Sequence, residues 1–354
     1  MRIDALRQAL YATGAKDCHI DRVLRAWTQA KALDSGPRHQ PAADFLPLPL
    51  RNALPRLAAE LAGLARIRSE HEGEDGSRLL VELADGQLVE SVLLPRDGLC
   101  ISTQVGCAVG CTFCMTGRDG LLRQVDSGEM LAQVVLARQR RTVSRVVFMG
   151  MGEPSHNMDN VLEAIDTLGT YGGIGHKNLV FSTVGDYRVF ERLPQQRVRP
   201  ALAISLHTTR PELRAELLPK AAPVPPAELV ELAETYARTT GYPIQYQWTL
   251  IDGINDSEAE MDGIVRLLSG KYALMNLIPY NTTAALDYRR PAVEKVTALT
   301  RYLHARGIRT TVRNSAGQDV DGGCGQLRAR NLERTGSRPQ KITLHAAGEN
   351  GSAG

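Results

Sequence analysis

Cys107, Cys111 and Cys114 lie in the stretch Gln104–Gly120, QVGCAVGCTFCMTGRDG, with the spacing CxxxCxxC. Each iron of a four-iron, four-sulfur cluster takes a soft outer ligand, and thiolates supply it. Three protein thiolates leave one iron open, and an open iron can bind a substrate. The pattern therefore describes a chemical site more than a relay for electrons. A structural zinc site would close with four ligands, and no His stands near enough in sequence to be an evident fourth. A disulfide pair with a spare thiol is the remaining reading, but nothing else in the chain points to secretion. Gly106, Gly110 and Gly117 suit a loop drawn tightly over a cluster, since glycine tolerates positive φ.

Further polar groups follow segments that read as strands. Met149–Pro154 is MGMGEP, in which glycines let backbone approach a ligand and Glu153 can accept hydrogen bonds from an amine. Ser182, then Ser205, Leu206 and His207, then Asn276 through Asn281 occupy corresponding places later in the chain. Each alone reads as a satisfied polar residue; their recurrence at equivalent positions points to one site. Cys100 precedes the cysteine-rich loop, and Cys324 sits in the Gly-rich run 316–325. If both reach the same mouth they form a thiol pair open to disulfide exchange. Glu90, inside a strand pattern, reads by pattern alone as a solvated outer-face carboxylate, and Cys18 as a small inert residue.

The elements that would position these groups follow from periodicity. Residues 1–34 have helical spacing of Leu6, Leu10, Ile20, Val23, Leu24 and Trp27, broken at Gly14. Residues 46–69 read as a further helix with Pro55 near its start. Residues 78–95 change to alternation around Ala84-Asp85-Gly86, a β-hairpin. From Leu99 strands and helices alternate: strands over 99–104, 145–149, 178–183, 201–206, 244–251, 273–278 and 308–313, with helices over 127–140, 157–170, 227–239, 257–268 and 292–306. Repeated βα units demand parallel strands with right-handed crossovers. About six such units, fewer than a closed eight-fold barrel holds, give an open partial (β/α)6 barrel, an α/β fold whose ligands sit at the carboxyl ends of the strands. The expected divisions are a helical accessory domain at 1–70, a hairpin extension at 71–97, the barrel at 98–315, and a Cys loop with a flexible tail at 316–354.

The 354 residues allow one large domain with an appendage or two domains. A net charge of +3 is too mild to prove a nucleic-acid partner, although Arg outweighs Lys and Arg suits phosphate forks. Arg138, Arg140 and Arg141 (which also read as a solvated helix end), then Arg328, Arg330 and Arg334, are candidate phosphate contacts, and the N-terminal helices are the other candidate, as an accessory domain that grips folded RNA. No signal-peptide pattern and no bilayer-length apolar run is read. The metal-type grouping of cysteines fits a reducing cytoplasm, so a cytoplasmic protein without membrane contact is expected.

CxxxCxxC with an aromatic, Phe113, before the last Cys resembles the signature of radical S-adenosylmethionine (SAM) enzymes, whose open iron chelates SAM. Across nearly the whole chain, VESVLLP, LCISTQVGCAVGCTFCMTG, VVFMGMGEP, FSTVG, LAISLH, NLIPYN and TVRNSAGQDVDGGCGQL resemble, in order, the motifs of the RlmN/Cfr family of radical SAM RNA methyltransferases. The resemblance implies a [4Fe-4S] cluster on Cys107, Cys111 and Cys114, with SAM contacts from Gly152, Glu153, Ser182, Ser205, Leu206, His207 and Asn281. It implies Cys324 as methyl carrier, Cys100 as its partner thiol in a transient disulfide, and Glu90 as proton acceptor. Two SAM molecules are then consumed: one methylates Cys324, the other yields the radical that activates that methyl group. The implied product is C2-methyladenosine in large-subunit (23S) ribosomal RNA, and also in tRNA, with C8 methylation as the alternative. The implied partners are RNA and a reducing donor such as flavodoxin, with the protein a monomer. Met115, Arg118-Asp119, Val184 and Gln247 depart from the family's usual residues, on the substrate side of the site. A metal-stabilised RNA-binding protein without catalysis would not need the SAM motifs, and a radical SAM activase would not need the Cys100/Cys324 pair.

Overall fold

A computed structural model describes residues 1–36, 40–73, 76–283, 285–313 and 325–335. Cys324 and the expected tail therefore lie outside the described residues. The chain opens with α1 (Ile3–Ala12), α2 (Asp17–Thr28) and α3 (Leu48–Ala62). Leu6, Leu10, Ile20, Val23, Leu24 and Trp27 are buried, as their spacing requires.

Helix α3 stops at Ala62, short of the expected end, and β1 (Ala65–Gly73) takes over. Leu64 and Ile67 fit a helical stripe, but the segment also alternates Arg66, Arg68, Glu70 and Glu72 on one face. Antiparallel pairing of β1 with β2 (Gly76–Leu83) decides between the two patterns. Pro55 lies inside α3 rather than at its start. Strand β2 turns into β3 (Leu88–Leu94), the expected hairpin, and β3 pairs antiparallel with β4 (Gly98–Ile101).

Then come β5 (Gln104–Gly106) and β6 (Leu121–Gln124), a small antiparallel ladder the pattern did not suggest. The barrel continues through α4 (Ser127–Arg138), β7 (Arg145–Phe148), α5 (Met158–Thr170), β8 (Leu179–Thr183), α6 (Tyr187–Arg192), β9 (Ala201–Ser205), α7 (Pro211–Leu217) and α8 (Pro226–Thr240). It closes its described course with β10 (Ile244–Leu250), α9 (Glu258–Leu268), β11 (Ala273–Pro279), α10 (Val293–Ala305), β12 (Thr310–Val312) and α11 (Gln326–Thr335).

Strand β4 and strands β7 to β12 run parallel, in chain order, in one ten-stranded sheet whose other end is β1. The sheet has two ends and so is the expected open barrel. Its outer face and the helices form the main core, while Val147, Val180, Ala201 and Ala203 pack together on the inner face. Among the described residues no helix is long and apolar enough to cross a membrane.

The first helices are fastened to the barrel by polar contacts that sequence spacing does not reveal. Glu163 on α5 accepts the backbone amides of Ile3 (3.3 Å) and Asp4 (2.9 Å) and the Ser127 hydroxyl. It thus caps α1 from outside and answers the dipole at its amino end. Burial works to raise the Glu163 pKa, but the Ser127 hydroxyl and the Asp4 amide hold the carboxyl below its usual range.

Replacing Glu163 with Gln is expected to cost about 1–3 kcal/mol, the range for hydrogen bonds to a charged group, and to speed amide exchange over 3–28. The folded pKa being depressed, the wild-type advantage is present above the unfolded carboxyl pKa and is lost as pH falls through the folded one. Denaturant unfolding of both proteins across that acid range checks the expectation.

Candidate active site

The loop from Cys107 to Gly120 connects β5 to β6, so the small ladder holds both feet of the cysteine loop. The Cys107 amide donates to the Gly120 carbonyl (3.0 Å), and that of Cys114 to the Cys111 carbonyl (3.0 Å). Gly106 and Gly110 take positive φ, whereas Gly117 serves by packing on Gly110. Outside anchors complete the loop: the Thr112 amide donates to Leu217 O (3.0 Å), and the Tyr288 hydroxyl to Thr112 Oγ1 (2.9 Å).

Among the described residues no three His, Cys, Asp or Glu side chains are gathered tightly enough to hold a single metal ion, but the three thiols lie near enough to feel one another's charge, as ligands to different irons of one cluster would. Burial pushes the Cys107 thiol up to about 12, with Glu153 and Cys114 adding repulsion; Cys111 is pushed well above its usual value by burial, then by Cys114 and Cys107. Three soft donors that repel one another in an apolar wall of Val109, Val184 and Tyr280 fit a cationic iron–sulfur core, which holds its ligands as thiolates.

Glu153 stands beside them. Its amide is held by Gln104 Oε1 (2.7 Å), and its carboxylate accepts the Ser155 amide at Oε1 (3.1 Å) and the Val184 amide at Oε2 (3.0 Å). Each oxygen retains acceptor capacity for an ammonium group. The turn reaches this place because Gly152 has φ +103° and no side chain: a Cβ there would lie 2.5 Å from Gln104 Cβ.

Ser182 on β8 and Ser205 on β9 face the lumen at the next strand ends. His207, 6% exposed and at φ 63°, stacks edge-on against Phe113 with ring centroids 4.9 Å apart. Its Nδ1 accepts the Thr249 amide (2.9 Å) and its carbonyl takes Asn255 Nδ2 (2.7 Å), which leaves Nε2 as the protonated donor. Burial, then the charge of Arg214, hold His207 down at about 3, so the ring is neutral. Leu206 points into the helix-covered core; only its backbone can face a cofactor. Asn281 is half-buried just beyond the carboxyl end of β11.

Glu90 is not a solvated strand residue. It is 1% exposed, bonded by Arg78 Nη1 at Oε2 (3.0 Å). It also accepts the amides of Gly325 at Oε2 (3.1 Å) and Arg328 at Oε1 (2.8 Å). Burial raises its pKa, against the pull of Arg78 and the two amides. Val92 lies opposite both Cys100 and Arg78 in the sheet, and Glu90 is two residues away on the same face. Gly325, next to Cys324, also lies on the cysteine loop: a Cβ there would come 2.7 Å from Thr116 N.

Three arginines expected to face RNA are engaged in the protein. Arg138 donates to Thr28 O (2.6 Å) and Val143 O (3.0 Å), Arg140 pairs with Glu70 (3.0 Å), and Arg141 donates to Leu94 O and Gly98 O (2.7 Å for the latter). Arg328 is 4% exposed and lies 3.6 Å from Asp119; the Arg330 and Arg334 side chains fall outside the described set. Sequence reasoning missed Gln104, Arg78, Asn255 and Arg214, whose roles depend on partners distant in the chain.

The radical SAM superfamily profile matches residues 101–263. A "Probable RNA methyltransferase" of Dechloromonas aromatica is 80% identical, covering 97% of each chain, and one of Pseudomonas aeruginosa is 69% identical over 96% of this chain and 98% of its own. A solved radical SAM methyltransferase from Sphaerobacter thermophilus has 33% identity, covers 92% of this chain and 97% of its own, and superposes with a TM-score of 0.78.

Replacing Gly152 with Ala forces both a positive φ and an overlap with Gln104, an expected cost of about 1–3 kcal/mol. It should also weaken SAM binding to the reconstituted protein at least tenfold by calorimetry. Unchanged affinity would separate this turn from the cofactor.

Proposed function

This chain belongs to the radical SAM methyltransferases, enzymes whose cofactors are a [4Fe-4S] cluster and S-adenosylmethionine, and from that premise we propose that it methylates a ring carbon of adenosine, C2, in RNA through a methylated Cys324, as in the RlmN/Cfr branch. The substrates are large-subunit ribosomal RNA and also tRNA. The RNA assignment takes support from the relatives named RNA methyltransferases. The observation that carries the chemistry is the Glu90 carboxylate, buried on the sheet face of Cys100 and bonded to the amide of Gly325, the residue after Cys324.

Cys107, Cys111 and Cys114 would hold the cluster, and Glu153, Gly152, Ser182, Ser205, His207, Asn281 and the Leu206 backbone would line SAM. When bound, these cofactors supply the methyl group and a carbon radical that activates it. The chain's own residues do the rest. The Cys324 sulfur carries the methyl carbon to the adenine ring. Glu90, whose pKa is raised by burial, accepts the ring proton as the new carbon–carbon bond settles. The Cys100 thiolate would then attack the Cys324 sulfur; the sulfur–sulfur bond forms as the sulfur–carbon bond breaks, its electron pair stays on the methylene carbon, and that carbon takes a proton, for which the protonated Glu90 is the donor at hand, to become the methyl group of the departing base, while the adduct's unpaired electron would pass to the bound cluster. The apolar wall of Val92, Cys100 and Met149 keeps water from that exchange.

Anaerobic reconstitution followed by SAM addition should place one methyl group on the peptide containing Cys324, read by mass spectrometry. Cys100→Ala should accumulate a covalent RNA adduct through Cys324, and nucleoside chromatography of the wild-type product should show 2-methyladenosine. Release of free methylated RNA by Cys100→Ala at the wild-type rate would overturn the thiol-exchange step, and 8-methyladenosine alone would overturn the choice of carbon.

A further inference from the structure

The barrel's other end, where its parallel strands begin, is basic in a way the site above does not use. Among the residues one or two positions before each barrel strand, the cations are Arg96, Lys177, Arg199, Lys271 and Arg309, and the acid is Asp97. Lys271 is paired with Glu231 (2.7 Å). Arg96, Lys177, Arg199 and Arg309 are exposed, and among the described residues no carboxylate lies within ion-pair distance of them. Other acids are engaged elsewhere, Asp166 by Arg197, Glu234 by Arg238 and Glu70 by Arg140, while exposed Asp97 adjoins Arg96 in the chain and offsets part of its charge. The parallel register brings the four free cations to one rim, although they are spread over more than two hundred residues of sequence.

The floor of the lumen behind that rim has the same bias. Arg145, the first residue of β7, reaches across to Gln245 Oε1 on β10 (3.2 Å), and its buried Nε has no partner. Asn276, 0% exposed on β11, accepts the Thr311 hydroxyl at Oδ1 (2.7 Å) and leaves a buried Nδ2 without an acceptor. Arg313, exposed just past β12, has its guanidinium held below its usual range by partial burial and then by the charge of Arg145. Two like charges and unmatched buried donors, with no ion pair to either arginine among the described residues, make an arrangement that an anion would complete. Above the floor the lining is small and apolar, Val147, Val180, Ala201 and Ala203, with Tyr242 packed against it. An aromatic edge within a cationic rim is the combination that holds unstacked nucleotides.

We propose that this amino-end rim of the barrel is the RNA-binding surface: Arg96, Lys177, Arg199 and Arg309 take backbone phosphates, and Arg145 with Arg313 receives a phosphate of the nucleotide that enters the lumen. The inference rests on the RNA reading given above and adds the direction from which RNA approaches. The cysteine loop occupies the carboxyl end of the strands, so the base reaches Cys100 from the opposite end to the cofactors. This replaces the Arg138–Arg141 cluster as the phosphate contact, since those side chains are bound within the protein.

The test is binding of two in vitro transcripts, a tRNA and a large-subunit ribosomal RNA fragment, by fluorescence anisotropy across a salt series. The rim variant carries Arg96→Gln, Lys177→Gln, Arg199→Gln and Arg309→Gln. A control of equal charge change carries Arg188→Gln, Arg192→Gln, Arg266→Gln and Arg301→Gln on outer helices. The rim variant should bind at least tenfold more weakly, with the slope of log K against log salt reduced by about 0.7–0.9 for each phosphate it no longer neutralises; the control should stay within threefold of wild type. Arg145→Gln with Arg313→Gln should weaken binding in the same assay while wild-type SAM affinity is retained. Wild-type binding and slope in the rim variant, equal weakening in rim and control, or displacement of RNA by polyglutamate at equal charge would each overturn the surface. If wild type methylates RNA while the rim variant binds unchanged, only this surface falls; if wild type neither binds nor methylates RNA, the functional reading falls and takes the surface with it.

Discussion

Burial of the Glu90 carboxylate is the interaction on which the arrangement of this site depends. An ionised carboxyl 1% exposed is stable only when its oxygens are matched by charge and by hydrogen bonds. Arg78 supplies the charge from the neighbouring strand, and the amides of Gly325 and Arg328 supply the bonds from the first turn of α11. One carboxylate thus joins the hairpin extension to the C-terminal helix and fixes where the residue before that helix must be. The positive end of the α11 dipole falls on the same group. A structural role and a proposed chemical one coincide: the group proposed to take the proton also anchors Gly325 and the first turn of α11.

The rest of the site is built by the same use of backbone donors. Glu153 is aimed by two amides, His207 by one amide at its ring and one carboxamide at its carbonyl, and the cysteine loop by carbonyls at either foot. These supports come from the ends of β5, β8 and β10 and from the 251–257 turn, so backbone amides together with the buried side chains of Gln104 and Asn255 position this end of the barrel. Arg214 is a separate device. It is 5% exposed, held down at about 10 by burial, and attracted toward the charges of Cys111 and Glu153, while its guanidinium donates to the carbonyls of Val184 and Ser205. A cation so placed offsets thiolate charge at the wall of the cluster loop.

The two ends of one barrel differ in chemistry. The carboxyl ends of the strands gather thiols, a carboxylate and a neutral imidazole, and the amino ends gather exposed guanidinium and ammonium groups. On the inner face between them pack the small apolar residues Val147, Val180, Ala201 and Ala203, and Cys100 with Val92 and Met149.

Much of this was readable along the chain. The alternation of periods from Leu99 onward gave the βα units and hence the parallel barrel, because the period of burial is local and a parallel pair needs a crossover. The CxxxCxxC spacing and the MGMGEP turn were legible because their ligands lie within a few residues of one another. The fate of residues 63–73, the burial of Glu90 and the engagement of Arg138, Arg140 and Arg141 were not, because each is decided by a partner far away in sequence. The helical stripe of Leu64 and Ile67 yields to a ladder with β2; the strand carboxylate turns inward because Arg78 and α11 meet it there; the arginines find carbonyls and a carboxylate in the protein itself. What the sequence determined was the repertoire of chemistry and the periodicity that builds the barrel. Which charges are buried, which are free and which end of the barrel they face was decided only when the strands paired, since pairing, not spacing, sets the distance between groups a hundred residues apart.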